Sequence, residues 1–433
     1  MDYPQTIDYL FNKLPMFSHI GSAAIKKDLT NTLLLCEALG NPQHQFKSIH
    51  IAGTNGKGST SHSLAAILQS AGYKTGLYTS PHLIDFRERI KVNGQICEEQ
   101  FVIDFTQKVI PLIEEIEPSF FEITVAMAFY YFAQQKVDIA IIEVGLGGRL
   151  DSTNIIIPEL SIITNIGLDH TAILGNTLEA IASEKAGIIK EKIPIVIGEY
   201  LEETQHIFLE KAKEFNSPIF FAQDERRVVS LENQISELNV VVEDLKTNIQ
   251  DTYSLDLSGN YQSKNLLTVL EAVKQLQNIG YSIENKIVKE ALTKVKTLTG
   301  LHGRWELIEA NPNVIVDVGH NEDGMRQVVA QLEVCKYERL HIVIGMAKDK
   351  AIDKVLALMP MEATYYFTKA QIPRALPETD LKTLAFQYHL KGNCFANVSD
   401  AVNAAKYVAT NEDLILICGS VFVVGEFLAT TKG

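Results

Sequence analysis

A glycine-rich segment with one lysine and two hydroxyl residues is the part of this sequence best suited to do chemistry. Its residues are Gly53, Thr54, Asn55, Gly56, Lys57, Gly58, Ser59 and Thr60. A strand pattern at 48–52 precedes the segment and a helical pattern at 57–72 follows it. Such a loop presents backbone N–H groups to a polyphosphate, and its lysine reaches the terminal phosphates. We therefore predict a nucleoside triphosphate site, with Ser59 or Thr60 near Mg²⁺, although Gly58 departs from the common G-x-x-x-x-G-K-[ST] spacing.

Three further ionisable side chains belong to segments that follow predicted strands. Glu143 ends an apolar strand pattern, and its carboxylate suits either Mg²⁺ or a salt bridge. His170 follows Asp169 after a second apolar strand, where open α/β sheets bind ligands, which favours metal or phosphate contact. Lys185 lies in a helical pattern among charged neighbours, and its spacing alone predicts a solvated lysine on a helix surface.

Strand and helix patterns alternate along most of the chain, which predicts an α/β fold with doubly wound parallel sheets. The strand patterns lie at 48–52, 138–144, 160–166, 314–318, 340–345, 363–368 and 414–418. The helical patterns lie at 57–72, 177–190, 262–276, 283–295, 322–334 and 400–409. The segment 226–256 instead predicts added antiparallel strands. A polar, glycine-containing stretch at 297–303 predicts a boundary, with a P-loop domain over 1–297 and a smaller Rossmann-like domain over 298–433.

Charge and composition exclude some classes of function. With 39 basic and 53 acidic residues the net charge is −14, so we expect no nucleic-acid partner. Five scattered cysteines, without a C-x-x-C pair, predict neither a disulfide framework nor a zinc site. The sequence has no pattern of a signal peptide or a membrane span, and we expect a cytoplasmic, monomeric protein.

Eight ordered motifs resemble those of the folylpolyglutamate synthase and dihydrofolate synthase family, which is related to the Mur ligases. The motifs lie at 53–59, 80–83, 120–124, 143–154, 165–170, 184–188, 303–306 and 317–321. Gly319 stands where the family commonly has alanine, a change that should leave the flanking roles intact. The resemblance implies that ATP phosphorylates a folate carboxylate and that the amino group of L-glutamate attacks the acyl phosphate. The stretch 148–154 resembles bacterial forms that also act on dihydropteroate, which favours a bifunctional enzyme.

The resemblance also implies site residues. The catalytic residues would be Lys57, His170, Lys185, Arg304 and Asp317. ATP would be bound by the residues 53–60 named above and by Gln262, Asn265, Arg304, Asp317 and His320. One Mg²⁺ would be held by Ser80 and Glu143, and a second by Glu143, His170 and a carbamylated Lys185. Folate would contact Pro81, His82, Phe86, Arg87, Arg89, Phe121, Glu122 and Asp151. Ser420, after the last predicted strand, is the candidate contact for glutamate.

Two other functions are compatible with the phosphate loop. A Mur-type ligase for a nucleotide-linked muramyl peptide usually has an extra N-terminal domain, for which the segment before Ser48 is short. A P-loop switch uses nucleotide hydrolysis to change its affinity for a partner and synthesises no new compound. The second βα series and the motifs at 303–306 and 317–321 argue against a switch.

Overall fold

A computed structural model describes residues 1–16 and 28–431 of the chain. Its first part is built on an eight-stranded sheet with the strand order β4-β3-β2-β5-β1-β6-β7-β8. The strands are β1 Lys47–Ala52, β2 Thr75–Tyr78, β3 Ile90–Val92, β4 Gln95–Ile96, β5 Ile139–Glu143, β6 Leu160–Ile163, β7 Ile195–Ile197 and β8 Ile219–Phe221. Neighbouring strands are parallel, except that β3 is antiparallel to both β2 and β4. The predicted doubly wound fold is confirmed.

Helices cover this sheet on both faces. They are α1 Tyr3–Lys13, α2 Thr30–Ala38, α3 Lys57–Ser70, α4 Glu99–Ile116, α5 Phe120–Gln135, α6 Thr171–Leu174, α7 Leu178–Ala186, α8 Glu202–Glu214 and α9 Ala222–Glu225. All five residues of β5 are buried, as expected for a central parallel strand. Since β5, β1 and β6 are neighbours, the residues that follow their carboxyl ends meet at one edge of the sheet. None of the helices in the described ranges is long and apolar enough to cross a membrane.

The predicted antiparallel strands at 226–256 form a separate three-stranded sheet. Its strands are β9 Arg226–Gln234, β10 Glu237–Asp244 and β11 Gln250–Leu255, with β10 in the middle. Leu238, Val240 and Val242 pack in the same hydrophobic cluster as Leu64 and Ile67 of α3. The helices α10 Gln262–Asn278, α11 Asn285–Leu292 and α12 Val295–Thr299 follow. The predicted helical stretch 283–295 is present as α11, except that the chain leaves the helix at Thr293 and starts α12 at Val295.

The last part of the chain forms a six-stranded sheet with the order β12-β13-β17-β14-β15-β16. The elements are β12 Glu306–Glu309, β13 Asn313–Val316, α13 Glu322–Glu333, β14 Leu340–Ile344, α14 Ile352–Leu356, β15 Thr364–Phe367, α15 Glu378–Phe386, β16 Lys391–Cys394, α16 Val398–Val408, β17 Leu414–Cys418 and α17 Val421–Thr431. Only β12 is antiparallel to its neighbour. The four predicted strands are present, whereas β12 and β16 were not predicted. The division at 297/298, which falls within α12, stays a prediction.

Candidate active site

A cavity of about 1530 Å³ lies where the two parts of the molecule meet. On one side it is lined by the glycine segment after β1 and by residues that follow β5 and β6. On the other side it is lined by residues that follow β13, β14 and β17. The carboxyl ends of both parallel sheets therefore open into one space, which is where α/β sheets bind ligands.

The glycine segment is held in place by the loop after β6. Thr164 Oγ1 donates to the Asn55 carbonyl (2.6 Å), and Asn55 N donates to Asn165 Oδ1 (2.8 Å). Gly53 has φ +151°, and a Cβ at this residue would overlap the Thr164 hydroxyl. The close approach of the two loops thus requires glycine at position 53. The side chain of Lys57 folds over the loop, and its Nζ donates to the carbonyls of Gly53 (2.9 Å) and Thr54 (3.2 Å).

Glu143 places a buried carboxylate beside this loop. The residue is 4% exposed, and within the described ranges Oε2 is a buried oxygen without a hydrogen-bond partner. Burial raises the pKa of Glu143 to about 7, while Lys57, Arg304 and Arg89 oppose the shift. A buried oxygen without a partner fits a hard cation such as Mg²⁺. Ser80 lines the same cavity.

Lys185 does not lie on a solvated helix surface, so the expectation from its spacing alone is wrong. The residue is 4% exposed, and its Nζ donates to the Gly53 carbonyl (2.9 Å). Burial lowers the pKa of Lys185 to about 7, with Lys57 adding to the shift. Gly148 and Gly187 allow the close packing that buries this helix, because a Cβ at either position would collide with backbone atoms.

His170 has a left-handed backbone with φ 50°, and burial lowers the pKa of its imidazole to about 3. A neutral imidazole is the form that binds metals. His170 and Lys185 both line the cavity with Glu143. Within the described ranges no group of three or more His, Cys, Asp or Glu side chains could hold a metal ion alone. A metal here would therefore need other ligands as well, such as hydroxyls or phosphates.

Arg304 reaches the phosphate loop from the linker between the two sheets. Its Nη2 lies 3.1 Å from the point that a Cβ on Gly58 would occupy, and Glu143 Oε2 lies 3.8 Å from the same point. Asp317 is buried, and its carboxylate accepts from Tyr261 Oη (2.7 Å), Trp305 N (2.9 Å) and Gly319 N (2.7 Å). Asp317 thus holds the linker beside the cavity.

The sequence motifs contain Asp169, His320 and Asn321, but sequence reasoning missed Lys350, which completes a cluster that joins the two parts of the molecule. Lys350 Nζ donates to Asp169 Oδ1 (2.7 Å), and Asn321 Nδ2 donates to Oδ2 (3.1 Å). His320 Nε2 lies 3.4 Å from Oδ2. Burial raises the pKa of Asp169, but the His320 hydrogen bond and the charges of His170, His320 and Lys350 outweigh it and hold the pKa well below its ordinary value. Lys350 follows the predicted strand 340–345, and that position was the signal available in the sequence.

An aromatic and cationic wall lies at the other end of the cavity. Arg89 is 6% exposed, and its Nε donates to His82 Nδ1 (2.8 Å) while its guanidinium lies 5.4 Å from the Phe120 ring centre. Phe11, from helix α1, stacks on His82 with 6.2 Å between ring centres. Phe11 was not predicted, because nothing near it in the sequence connects it to the motifs. The predicted residues Pro81, His82, Arg89, Phe121, Glu122 and Asp151 all line the cavity.

Other predicted residues lie away from the cavity wall. Phe86 is buried in the hydrophobic cluster beneath it. Arg87 is held by Asp85 (2.7 Å) and lies over the Tyr3 ring. Thr60 is fully buried in α3.

The predicted ATP contacts Gln262 and Asn265 and the predicted glutamate contact Ser420 lie in or directly beneath the cavity wall. Gln262 is 2% exposed and donates to Ser59 Oγ (3.1 Å), while Asn265 lines the cavity and donates to Gln262 Oε1 (2.7 Å). Gln262 therefore supports the loop from behind. Ser420 lines the opposite side of the cavity, before helix α17, and its Oγ accepts from Phe422 N (3.2 Å).

Comparison with known proteins supports this arrangement. The Mur ligase middle domain matches residues 51–273, and the Mur ligase glutamate ligase domain matches residues 303–421. The chain is 32% identical to the dihydrofolate synthase/folylpolyglutamate synthase of Bacillus subtilis, over 94% of this chain and 96% of that protein. It is 29% identical to the folylpolyglutamate synthase of Lacticaseibacillus casei, over 100% and 99% of the two chains. The structure of E. coli FolC in complex with DHPP and ADP has a TM-score of 0.85 at 29% identity and covers 100% of this chain and 98% of that chain.

Proposed function

The chain belongs to the Mur ligase family, among the folylpolyglutamate and dihydrofolate synthases, and we propose that it is an ATP-dependent ligase that adds L-glutamate to folates. One observation carries this proposal. A single cavity holds a phosphate loop at one end, an aromatic wall with a buried arginine at the other, and residues of the second domain opposite. Such a cavity can hold a triphosphate, a flat anionic acceptor and an amino acid together.

In the proposed reaction a carboxylate oxygen of the folate attacks the γ-phosphorus of ATP, and the bond to ADP breaks. The amino nitrogen of glutamate then attacks the acyl carbon, and phosphate leaves as the amide forms. Lys57 and Arg304 are placed to bind the phosphate oxygens on which charge is transferred, since both lie at the phosphate loop. Catalysis of this kind depends on positioning and on charge neutralisation.

We also propose that the site takes two Mg²⁺ ions, one at Ser80 and Glu143 and one at Glu143, His170 and Lys185. The orphaned Oε2 of Glu143 and the neutral imidazole of His170 support the assignment. Mg²⁺, when bound, neutralises negative charge on the phosphates. Lys185 would contribute after carbamylation. Because burial lowers its pKa to about 7, a large share of the amine is neutral at physiological pH and can react with carbon dioxide.

Substrate contacts follow from the two ends of the cavity. Arg89, His82 and Phe121 would face the folate, whose ring stacks on aromatic side chains and whose acidic tail binds a cation. Ser420 would contact glutamate at the second domain. Dihydropteroate would be a second acceptor, in line with the names of relatives that carry both activities.

We also propose that the enzyme is cytoplasmic and works as a monomer without nucleic acid. The charge supports the absence of nucleic acid, and the cysteines support the location. The net charge of −14 disfavours polyanions. Its five cysteines, all in the described ranges, are free thiols, as is usual in a reducing compartment.

A coupled assay of ADP release tests the proposed function. ATP and L-glutamate are supplied with tetrahydrofolate, with dihydropteroate or without an acceptor. A ligase releases ADP appreciably only when acceptor and glutamate are both present, and a bifunctional enzyme does so with both acceptors. Steady hydrolysis without either substrate would instead indicate a P-loop switch. A muramyl peptide acceptor serves as the control for a Mur-type ligase.

A further inference from the structure

The C-terminal end of helix α12 is gripped by side chains of the first domain. Gln69 Nε2 donates to the Leu298 carbonyl (2.9 Å), and Lys91 Nζ donates to the carbonyls of Thr299 (2.7 Å) and Gly300 (3.2 Å). The last carbonyls of a helix have no partner within the helix and carry partial negative charge. An ammonium group therefore stabilises this helix end more than a neutral donor does. Lys91 is only 4% exposed, so its charge is buried against these carbonyls.

A buried histidine, His62, also holds the end of α12, and we call Gln69, Lys91 and His62 together the clamp. Thr299 Oγ1 donates its single proton to the Val295 carbonyl (2.6 Å). His62 Nδ1 lies 2.7 Å from the same hydroxyl oxygen, so His62 must be the donor in that bond. His62 belongs to α3, the helix that begins at the phosphate loop with Lys57. The end of α12 is thus fixed directly to the helix that carries the phosphate loop.

The chain beyond this clamp leads to Arg304 within a few residues. Leu301, which is 6% exposed, packs in the same hydrophobic cluster as α3, and Trp305, which is 1% exposed, donates from its backbone N to Asp317. Between these two residues, Gly303 N donates to Glu306 Oε2 (2.7 Å), and the Gly303 carbonyl accepts from Val318 N (3.0 Å). The side chain of Arg304 extends from this short linker to Gly58 at the start of α3. The helix α3 therefore contacts this part of the chain twice. His62 of α3 holds the end of α12, and Arg304, which follows α12, lies against Gly58 of α3.

We propose that Lys91 is a positioning residue of the ligase, which fixes the end of α12 so that the linker delivers the Arg304 guanidinium to the phosphate loop. This proposal rests on the proposed ligase reaction, and Lys91 affects that reaction through Arg304. Without the Lys91 ammonium, the linker starts from a less fixed point, and Arg304 spends less time at the phosphates. Because preorganised charges act only when they are held in place, the loss falls mainly on the rate of the chemical step.

A double-mutant cycle of Lys91→Met and Arg304→Ala tests this role, with kcat and the Kd of ATP as readouts. We expect Lys91→Met to lower kcat about tenfold and to change the Kd of ATP less than about threefold. In the Arg304→Ala background the same change should cost less than about twofold, since the residue it acts through is already absent. Lys91→Arg, which keeps a charged donor, should recover most of the rate.

The matched control is Lys294→Met, which removes an exposed charge at the other end of the same helix and should leave kcat unchanged. The proposal would be overturned if Lys91→Met lowered kcat by the same factor in the Arg304→Ala background as in the wild type, so that the two losses multiply. A fully active Lys91→Met variant would also overturn it. If Lys91→Met does not fold, Gln69→Leu weakens the same clamp and is put through the same cycle with the same expected outcomes. A wild-type protein that fails the acceptor assay overturns the ligase function itself, whereas an active wild type with multiplying losses overturns only the role of Lys91.

Discussion

Two ammonium groups converge on one carbonyl oxygen in this site. Lys57 Nζ and Lys185 Nζ each donate to Gly53 O at 2.9 Å. Burial lowers the pKa of both ammonium groups, and repulsion from Lys57 lowers the pKa of Lys185 further. A triphosphate would relieve this repulsion at Lys57, and carbamylation would remove the positive charge at Lys185. The arrangement of the pair supports the proposal that Lys57 stays cationic and that Lys185 becomes an anionic ligand.

Replacing Lys185 tests this assignment. We expect Lys185→Ala to lower kcat about 100-fold, because one proposed ligand is lost. Bicarbonate or a short carboxylic acid should restore part of the activity, since it can occupy the vacated space and offer an anionic oxygen. Steady-state rates with and without added acid provide the measurement.

Lys213→Ala, at an exposed lysine on α8, is the control and should respond to neither change. A fully active Lys185→Ala enzyme would show that Lys185 holds no metal. Inactivity without any rescue would limit its role to that of a buried cation.

At the scale of elements, one carboxylate connects the two central strands of the six-stranded sheet at the edge where these strands begin. Asp413, directly before β17, accepts from the backbone N of Arg339 (3.0 Å) and from Arg339 Nη2 (2.7 Å) and Thr410 N (2.7 Å). Arg339 directly precedes β14, so this carboxylate joins the starts of the two central strands. The hydrogen bonds from Arg339 and Thr410 hold the pKa of Asp413 well below its ordinary value, against the effect of burial.

A depressed pKa in the folded state stabilises the protein above the unfolded pKa, near pH 4, and this contribution is lost as the pH falls further. We expect Asp413→Asn to lower the free energy of unfolding by about 2 kcal/mol at pH 7. The variant should also lose less stability than the wild type when the pH falls below about 4. Urea titrations at several pH values, followed by fluorescence, measure both effects. Trp305, the single tryptophan, lies in the core of the second sheet and reports on it.

The control is Asp8→Asn at an exposed position of α1, which should change neither quantity. Equal acid sensitivity of Asp413→Asn and the wild type would show that Asp413 is not a source of that sensitivity.

At the scale of the whole molecule, the two domains touch through apolar packing, such as Leu83 and Ile84 against the cluster of Val424, and through polar contacts across the cavity. Lys350 and Asp169 form an ion pair with side chains only 9% and 12% exposed. Asn55 of the phosphate loop and Asn321 exchange hydrogen bonds between their amide groups (3.0 and 3.3 Å). Interfaces between domains of one chain permit relative domain motion unless they are large and hydrophobic. These contacts therefore favour a closed arrangement without making it permanent.

Removing one partner of this pair should open the molecule. Lys350→Met leaves Asp169 as a buried carboxylate that has lost its ammonium partner, a change that is strongly destabilising for a buried pair. We expect kcat to fall about tenfold and the radius of gyration to increase, while ATP still binds the phosphate loop. Small-angle X-ray scattering and equilibrium binding provide the measurements.

Lys348→Met changes an exposed lysine two residues away and should behave like the wild type. An unchanged radius of gyration together with an unchanged kcat in Lys350→Met would show that this ion pair does not govern closure.

The sequence by itself determined the phosphate loop and the alternating elements around it. Both are local properties, since a loop between a strand and a helix and a run such as Ile139–Glu143 are recognisable from neighbouring residues. The position of Glu143 at the end of such a strand was predictable for the same reason. The N-cap of α7 is local in the same way, since the Thr177 side chain accepts from Ala180 N three residues later.

The tertiary structure alone decided which side chains reach the cavity. Lys185 has the spacing of a surface lysine and is nevertheless buried, because Gly148 in a distant loop and Gly187 at the end of the helix let that helix pack closely. Phe11, Lys91 and Lys350 contact residues that are distant in sequence. Phe86 does not reach the cavity, because its ring is buried in the hydrophobic core. Local patterns carry no information about such contacts, since burial and partner depend on how distant segments pack.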